Sequence, residues 1–131
     1  MGDKLISQQI TQPVGIIKTM PQSWVKRLPG GFKKWEKTFL KMNVIEGYYW
    51  TFNLSGKPKY EVLYFYLLIN GAIRYRCNII NYEGAKVVDC YTGEKKHGRC
   101  WVNVSAPVIK LKNHIPMKGF QGFRYTDKIY S

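Results

Sequence analysis

Glu61 to Tyr82 reads EVLYFYLLINGAIRYRCNIINY, and this stretch decides the fold. Two runs rich in β-branched and aromatic residues, Val62–Ile69 and Ala72–Tyr82, flank Asn70-Gly71. An Asn-Gly pair between such runs tolerates the positive φ angles of a two-residue hairpin turn, whose twist matches that of antiparallel strands. In the returning run Ile73, Tyr75, Cys77 and Ile79 alternate with Arg74, Arg76 and Asn78. Alternation with a period of two places the first set on one face of a sheet and both arginines on the other.

The reading extends outward in both directions. After Glu83-Gly84, Lys86 to Tyr91 forms a further strand around Val87 and Val88, and the polar Thr92–Arg99 stretch reads as an exposed loop. Trp101 to Leu111 is β-rich but contains Pro107, which lacks an N–H and so calls for an edge position or a bulge. On the other side, Tyr48–Phe52 is a short aromatic strand ended by the turn residues Asn53, Ser55, Gly56 and Pro58. Earlier still, Phe32, Trp35, Phe39, Leu40 and Met42 recur at three- and four-residue steps after Pro29-Gly30-Gly31. That spacing predicts an amphipathic helix from about Phe32 to Met42, with Lys33, Lys34, Lys37 and Lys41 on its other side. Val14–Met20 is a candidate strand, and residues 1–12 have no period and are expected to be loose.

One helix with five to seven hairpin-connected strands implies an α+β, predominantly β fold. The expected form is a small mixed or antiparallel β-barrel, or a strongly curved sheet, with one flanking amphipathic helix. The 131 residues make one domain, large enough to bury a core without a disulfide framework or a metal.

Charge carries the strongest functional signal. Twenty-one Lys and Arg stand against eight Asp and Glu, a net +13. The excess is spread along the chain: residues 1–60 hold ten basic and three acidic side chains, residues 61–131 eleven and five. Charge distributed through a folded domain points to a surface facing a polyanion rather than to a basic tail. Ten Tyr, six Phe and four Trp add flat rings on which bases can stack. No export signal and no apolar run of membrane-spanning length occurs, and the three cysteines are an odd number. An intracellular, cytoplasmic protein with reduced thiols is expected. The lysine- and tyrosine-rich composition also suits a thermophile or one of its viruses.

Three pieces, in order, resemble the PUA-like superfamily with its EVE and ASCH branches. They are the aromatic strand Gly47-Tyr48-Tyr49-Trp50-Thr51-Phe52, the hairpin Glu61–Tyr82, and the closing run Trp101–Tyr125 with its late and final strands. The resemblance covers about Tyr48 to Tyr125 and leaves the first 45 residues unaligned. It implies a small β-barrel that binds RNA or modified bases, with Trp50 as an aromatic wall of the base pocket.

Several residue sets could carry binding. Lys33, Lys34, Lys37 and Lys41 could follow a phosphate backbone by displacing counterions, or simply solvate a helix. Arg74 and Arg76, across the hairpin from Tyr64 and Tyr66, could combine phosphate contact with stacking, or form cross-strand Tyr–Arg pairs. Gly119–Tyr125 alternates glycine with rings; Gln121 could read a base edge and Arg124 a phosphate, while Phe123 and Tyr125 fit a barrel core. Cys77, Cys90, His97 and Cys100 are chemically able to bind zinc, but their C-x12-C-x6-H-x2-C spacing lacks a paired knuckle. No metal or other cofactor is expected. No carboxylate pair, nucleophile motif or phosphate-cradling loop argues for catalysis.

The sequence therefore predicts a protein that binds nucleic acid, whether RNA, single-stranded DNA or modified-base DNA. Its surface would use Lys33, Lys34, Lys37, Lys41, Trp50, Tyr66, Arg74, Arg76, Gln121 and Arg124. A structural or protein-interaction module, including a homodimer, is the first alternative, and a small enzyme acting on nucleic acid or a nucleobase is the second. No membrane partner is expected.

Overall fold

A computed structural model describes residues 12–131. All but one of the residues expected to be loose, 1–12, lie outside that range.

The central hairpin forms as its sequence dictates: β3 (Tyr64–Ile69) and β4 (Ala72–Glu83) are antiparallel. Asn70 and Gly71 both adopt positive φ, 52° and 74°, which these two residue types tolerate best. The other strands are β1 (Gly15–Met20), β2 (Trp50–Leu54), β5 (Lys86–Asp89), β6 (Lys95–Gly98), β7 (Cys100–Pro116) and β8 (Phe123–Thr126). Six of the eight make one sheet in the order β2-β7-β4-β3-β1-β8. Only β1 and β3 pair in parallel; the other neighbours are antiparallel. The sheet curls into a half-barrel, with β2 and β8 as its two edges and no ladder joining them among the described residues. It is an open curl, not the hydrogen-bonded barrel that the closing run Trp101–Tyr125 suggested.

The helix fills the hollow of this curl. Phe32–Phe39 is α-helical (α2, after a short α1 at Gln22–Lys26), and Leu40–Asn43 tightens into a 3₁₀ turn. Trp35 and Phe39 are fully buried against the inner faces of β3, β4 and β7, among them Phe65, Leu67, Tyr75, Cys77, Val102 and Val104. Burial pushes the Cys77 thiol pKa up, and Cys77 behaves as a small apolar side chain. Glu36 tethers the helix to the sheet, accepting from the Tyr75 hydroxyl and pairing with Lys110 at 3.3 Å. Burial, then the Glu36 contact, raises the Tyr75 pKa and favours its protonated, donating form.

Pro107 sits where the sequence required relief. Past Val104, β7 has no β2 partner, and its register with β4 shifts between Arg76 and Asn78. Next to it the Asn43 side chain substitutes for a strand, donating to the Val108 carbonyl (3.0 Å) and accepting from the Val108 N–H (2.7 Å).

The Thr92–Arg99 stretch is not the simple loop expected from its polarity. Its second half is β6, paired with β5 in a separate two-stranded ribbon. Gly98 explains how the ribbon docks. A Cβ there would come within 2.6 Å of the Trp101 ring and 2.7 Å of Asn53 Oδ1, so only glycine lets β6 approach so closely. The Trp101 indole N–H donates to the Lys86 carbonyl (3.2 Å) and fixes the ribbon's other strand.

Candidate functional site

A cavity of about 490 Å³ lies in a seam bordered by β1, β2 and the β5–β6 ribbon. That volume lies within the roughly 300–1,000 Å³ typical of small-molecule sites. β1 supplies Lys18 and Met20, α1 supplies Trp24 and Arg27, β2 supplies Trp50 to Asn53, and the β5–β6 ribbon supplies Asp89, Tyr91, Glu94 and Lys96.

Each wall follows from local sequence. In β1, Ile16 and Met20 join the inner core while Ile17 faces the outer cluster, so the intervening Lys18 is carried on the inner, apolar side. Desolvation by that burial, followed by repulsion from nearby Lys96, lowers the Lys18 pKa from 10.5 to about 8. In β2, Trp50 packs against the core, its ring centroid 5.2 Å from Phe39 and 6.0 Å from Trp35, and its flank meets Tyr91 at 5.8 Å. Trp50 is therefore core and cavity wall at once.

The ribbon is latched over the cavity by an ion pair, Arg27 to Glu94 at 3.1 Å. Asp89 is likewise engaged, by Lys95 at 3.3 Å. Lys18 and Lys96 make no ion pair among the described residues. Five buried side-chain polar atoms have no hydrogen-bond partner among those residues, and two of them, Trp50 Nε1 and Asn53 Oδ1, belong to residues lining this cavity. An unpaired buried donor or acceptor costs about 1–3 kcal/mol, and these two atoms are shut off from the open volume of the cavity by their own surroundings.

The residues proposed from sequence separate into three places. Trp50 lies in the cavity wall. Lys33, Lys34, Lys37 and Lys41 are all exposed on α2 and the turn that follows it. Lys34 and Lys41 lie about one turn on either side of Thr38, which lines the cavity, so part of the lysine face continues from its wall.

The outer face of the sheet takes Tyr66 and Arg76, Arg74 sits at the hairpin end, and in both places the expected binding surface is occupied by the chain itself. Tyr66 has no exposed ring to offer a base, being fully buried. Its hydroxyl accepts from the Tyr130 N–H at 3.0 Å beneath the C-terminal residues. Arg76 stacks over the Tyr64 ring at 4.7 Å and donates to the Tyr130 carbonyl at 2.9 Å. Arg74 caps the hairpin, donating to the carbonyls of Ile69 (2.6 Å) and Asn70 (3.1 Å) and contacting His114. The two arginines do not form one patch, because a register shift between Ile73 and Tyr75 breaks the alternation that the sequence implied. Ile73 packs in the outer cluster and Tyr75 in the inner one.

Gln121 and Arg124 are exposed on or beside the β8 edge, away from the cavity walls. Arg124 lies 4.2 Å over the Phe120 ring. Phe123 packs on the core, and Tyr125 accepts from the Lys59 N–H at 2.7 Å. Among the described residues no three His, Cys, Asp or Glu side chains converge as a metal would require, and Cys77, Cys90, His97 and Cys100 do not assemble. No helix among them is long and apolar enough to cross a membrane.

Lys18, Asn53 and Lys96 escape a reading of the sequence as a binding surface. Lys18 has a legible signal, a charge on the apolar side of the Ile16-Ile17-Lys18-Thr19-Met20 alternation. Lys96 and Asn53 have none, because the β5–β6 ribbon brings them to the site through tertiary packing. No protein-family model, curated protein or solved structure matches the chain.

Proposed function

We propose that this protein binds nucleic acid, receiving one unstacked base of an RNA or of a single-stranded or modified-base DNA in the seam cavity. One observation carries the reading: a recess walled by the rings of Trp24, Tyr48, Trp50 and Tyr91 also holds Lys18 and Lys96, neither paired with a carboxylate among the described residues. Base–ring stacking contributes about 1–3 kcal/mol whatever the base. The exposed lysines of α2 would attract the flanking phosphates. The PUA-like resemblance belongs to the same proposal, since it implies a β-rich curl with a base pocket bordered by Trp50.

Titration of labelled single-stranded RNA and DNA, read by fluorescence anisotropy, tests this reading. Wild-type protein should bind saturably, with an affinity that falls as salt rises. Tyr91→Ala removes one ring of the cavity wall and should weaken binding about five-fold or more, the worth of one base–ring stack. No saturable binding by wild type would overturn nucleic-acid binding, and an unchanged affinity in Tyr91→Ala would overturn the role of the cavity.

A protein-interaction reading has one observation of its own. Val44, Ile45, Tyr49 and Ile80 are exposed hydrophobic side chains bordering a second, shallower recess beside the 3₁₀ turn.

A further inference from the structure

The cavity's charge is not balanced by its own walls. Four charged residues of the ribbon and α1 cancel in pairs, Arg27 with Glu94 and Asp89 with Lys95. Lys18 at the inner wall and Lys96, exposed on the ribbon, are left without a carboxylate among the described residues. They approach the recess from different elements, β1 and β6. An ammonium held on the apolar side of a strand is costly unless an anion meets it.

From this arrangement we infer that the cavity is an end-binding site: it takes a nucleotide bearing a phosphomonoester, whose phosphate sits between Lys18 and Lys96 while its base lies against the rings. The inference rests on the nucleic-acid reading above and narrows its ligand. Charge selects the monoester. It carries about −1.5 to −2 at pH 7, matching two ammonium groups, whereas each internal diester of a strand carries a single charge. The depressed Lys18 pKa agrees with this geometry, since it reports an ammonium whose surroundings do not yet include an anion.

The same chemistry is offered by a free nucleotide and by the phosphorylated end of a strand. The test therefore uses four ligands: a trinucleotide with and without a terminal phosphate, and a nucleoside monophosphate and its nucleoside. Inorganic phosphate serves as a competitor, and should displace the phosphorylated ligands more readily than the unphosphorylated ones. Binding is followed by tryptophan fluorescence on the full chain. At pH 7 the phosphorylated member of at least one pair should bind about ten-fold or more tighter, as charge-assisted contacts to a second ammonium would give. If both pairs show the preference, or only the mononucleotide pair, the ligand includes the free nucleotide; if only the trinucleotides do, it is a strand end.

Lys18→Gln should lower the ratio several-fold, and Lys18→Arg should preserve it. Lys96→Gln, at an exposed position that does not threaten folding, should reduce the ratio as well. Raising the pH from about 7 to about 9.5 should erode the wild-type preference as Lys18 loses its proton, with a flat profile in Lys18→Gln. That comparison assigns the slope to Lys18 rather than to the other charged and titratable groups of the walls: Arg27, Tyr48, Tyr49, Asp89, Cys90, Tyr91, Glu94 and Lys96. Equal binding of phosphorylated and unphosphorylated ligands by wild type overturns the inference and leaves the base pocket standing. Equal loss of both in Lys18→Gln also overturns it, by making Lys18 merely structural. No binding of any of these ligands overturns the inference together with the reading beneath it.

Discussion

On the outer face of the sheet, Arg76 stacks on Tyr64 and Tyr66 is sealed under the C-terminal residues. In the seam cavity, by contrast, Lys18 has no carboxylate and Trp50 Nε1 no acceptor among the described residues. Both regions bring cations and rings together. On the outer face and at the hairpin beside it most of their hydrogen-bonding capacity is met by backbone carbonyls and N–H groups: Arg74 and Arg76 donate to the carbonyls of Ile69, Asn70 and Tyr130, although Arg76 Nε remains unpaired. In the cavity the carboxylates are already engaged by Arg27 and Lys95, and Lys18 and Lys96 border open space without one among the described residues. Composition alone does not distinguish a binding surface from a packed one. Unmet polar demand next to accessible volume does.

The severest challenge to this contrast is to empty the packed side. Tyr66→Ala removes a fully buried ring and its hydrogen bonds, and should cost about 3–5 kcal/mol in urea denaturation. Oligonucleotide affinity of the protein that stays folded should remain within about two-fold, since the ring lies outside the cavity. A large loss of affinity with little loss of stability would make the outer face the binding surface.

A smaller effect is expected from the helix. Replacing Lys33, Lys34, Lys37 and Lys41 together by Gln should leave stability within about 0.5 kcal/mol, because all four are exposed. The dependence of log affinity on log salt should become shallower by about 0.7 for each phosphate of a single strand that these lysines neutralise in wild type. An unchanged slope would confine binding to the cavity.

What can be read from sequence is what local chemistry decides. Asn70-Gly71 sets the hairpin, the three- and four-residue steps through Phe32, Trp35 and Phe39 set the helix, and Pro107 announces a bulge in β7. The strand at Lys95–Gly98 is hidden because its side chains are polar, and what holds it is the absence of a side chain at Gly98 against Trp101. Arg74 and Arg76 are expected to share a face because a period-two count cannot see a register shift. The cavity is only partly legible. Trp50 is marked by its aromatic strand and Lys18 by alternation, but Asn53 and Lys96 meet them only because the sheet curls and the ribbon folds back over the seam.

The decisive measurement is the indole N–H spectrum of the four tryptophans, recorded on ¹⁵N-labelled protein during titration with a single-stranded oligonucleotide. The Trp50 indole resonance should move saturably as a base stacks within the cavity beside its ring, while the backbone amides of Tyr64, Arg76 and Tyr130 stay in place. A stationary Trp50 indole with shifts gathered on those outer-face amides would refute the assignment of the site.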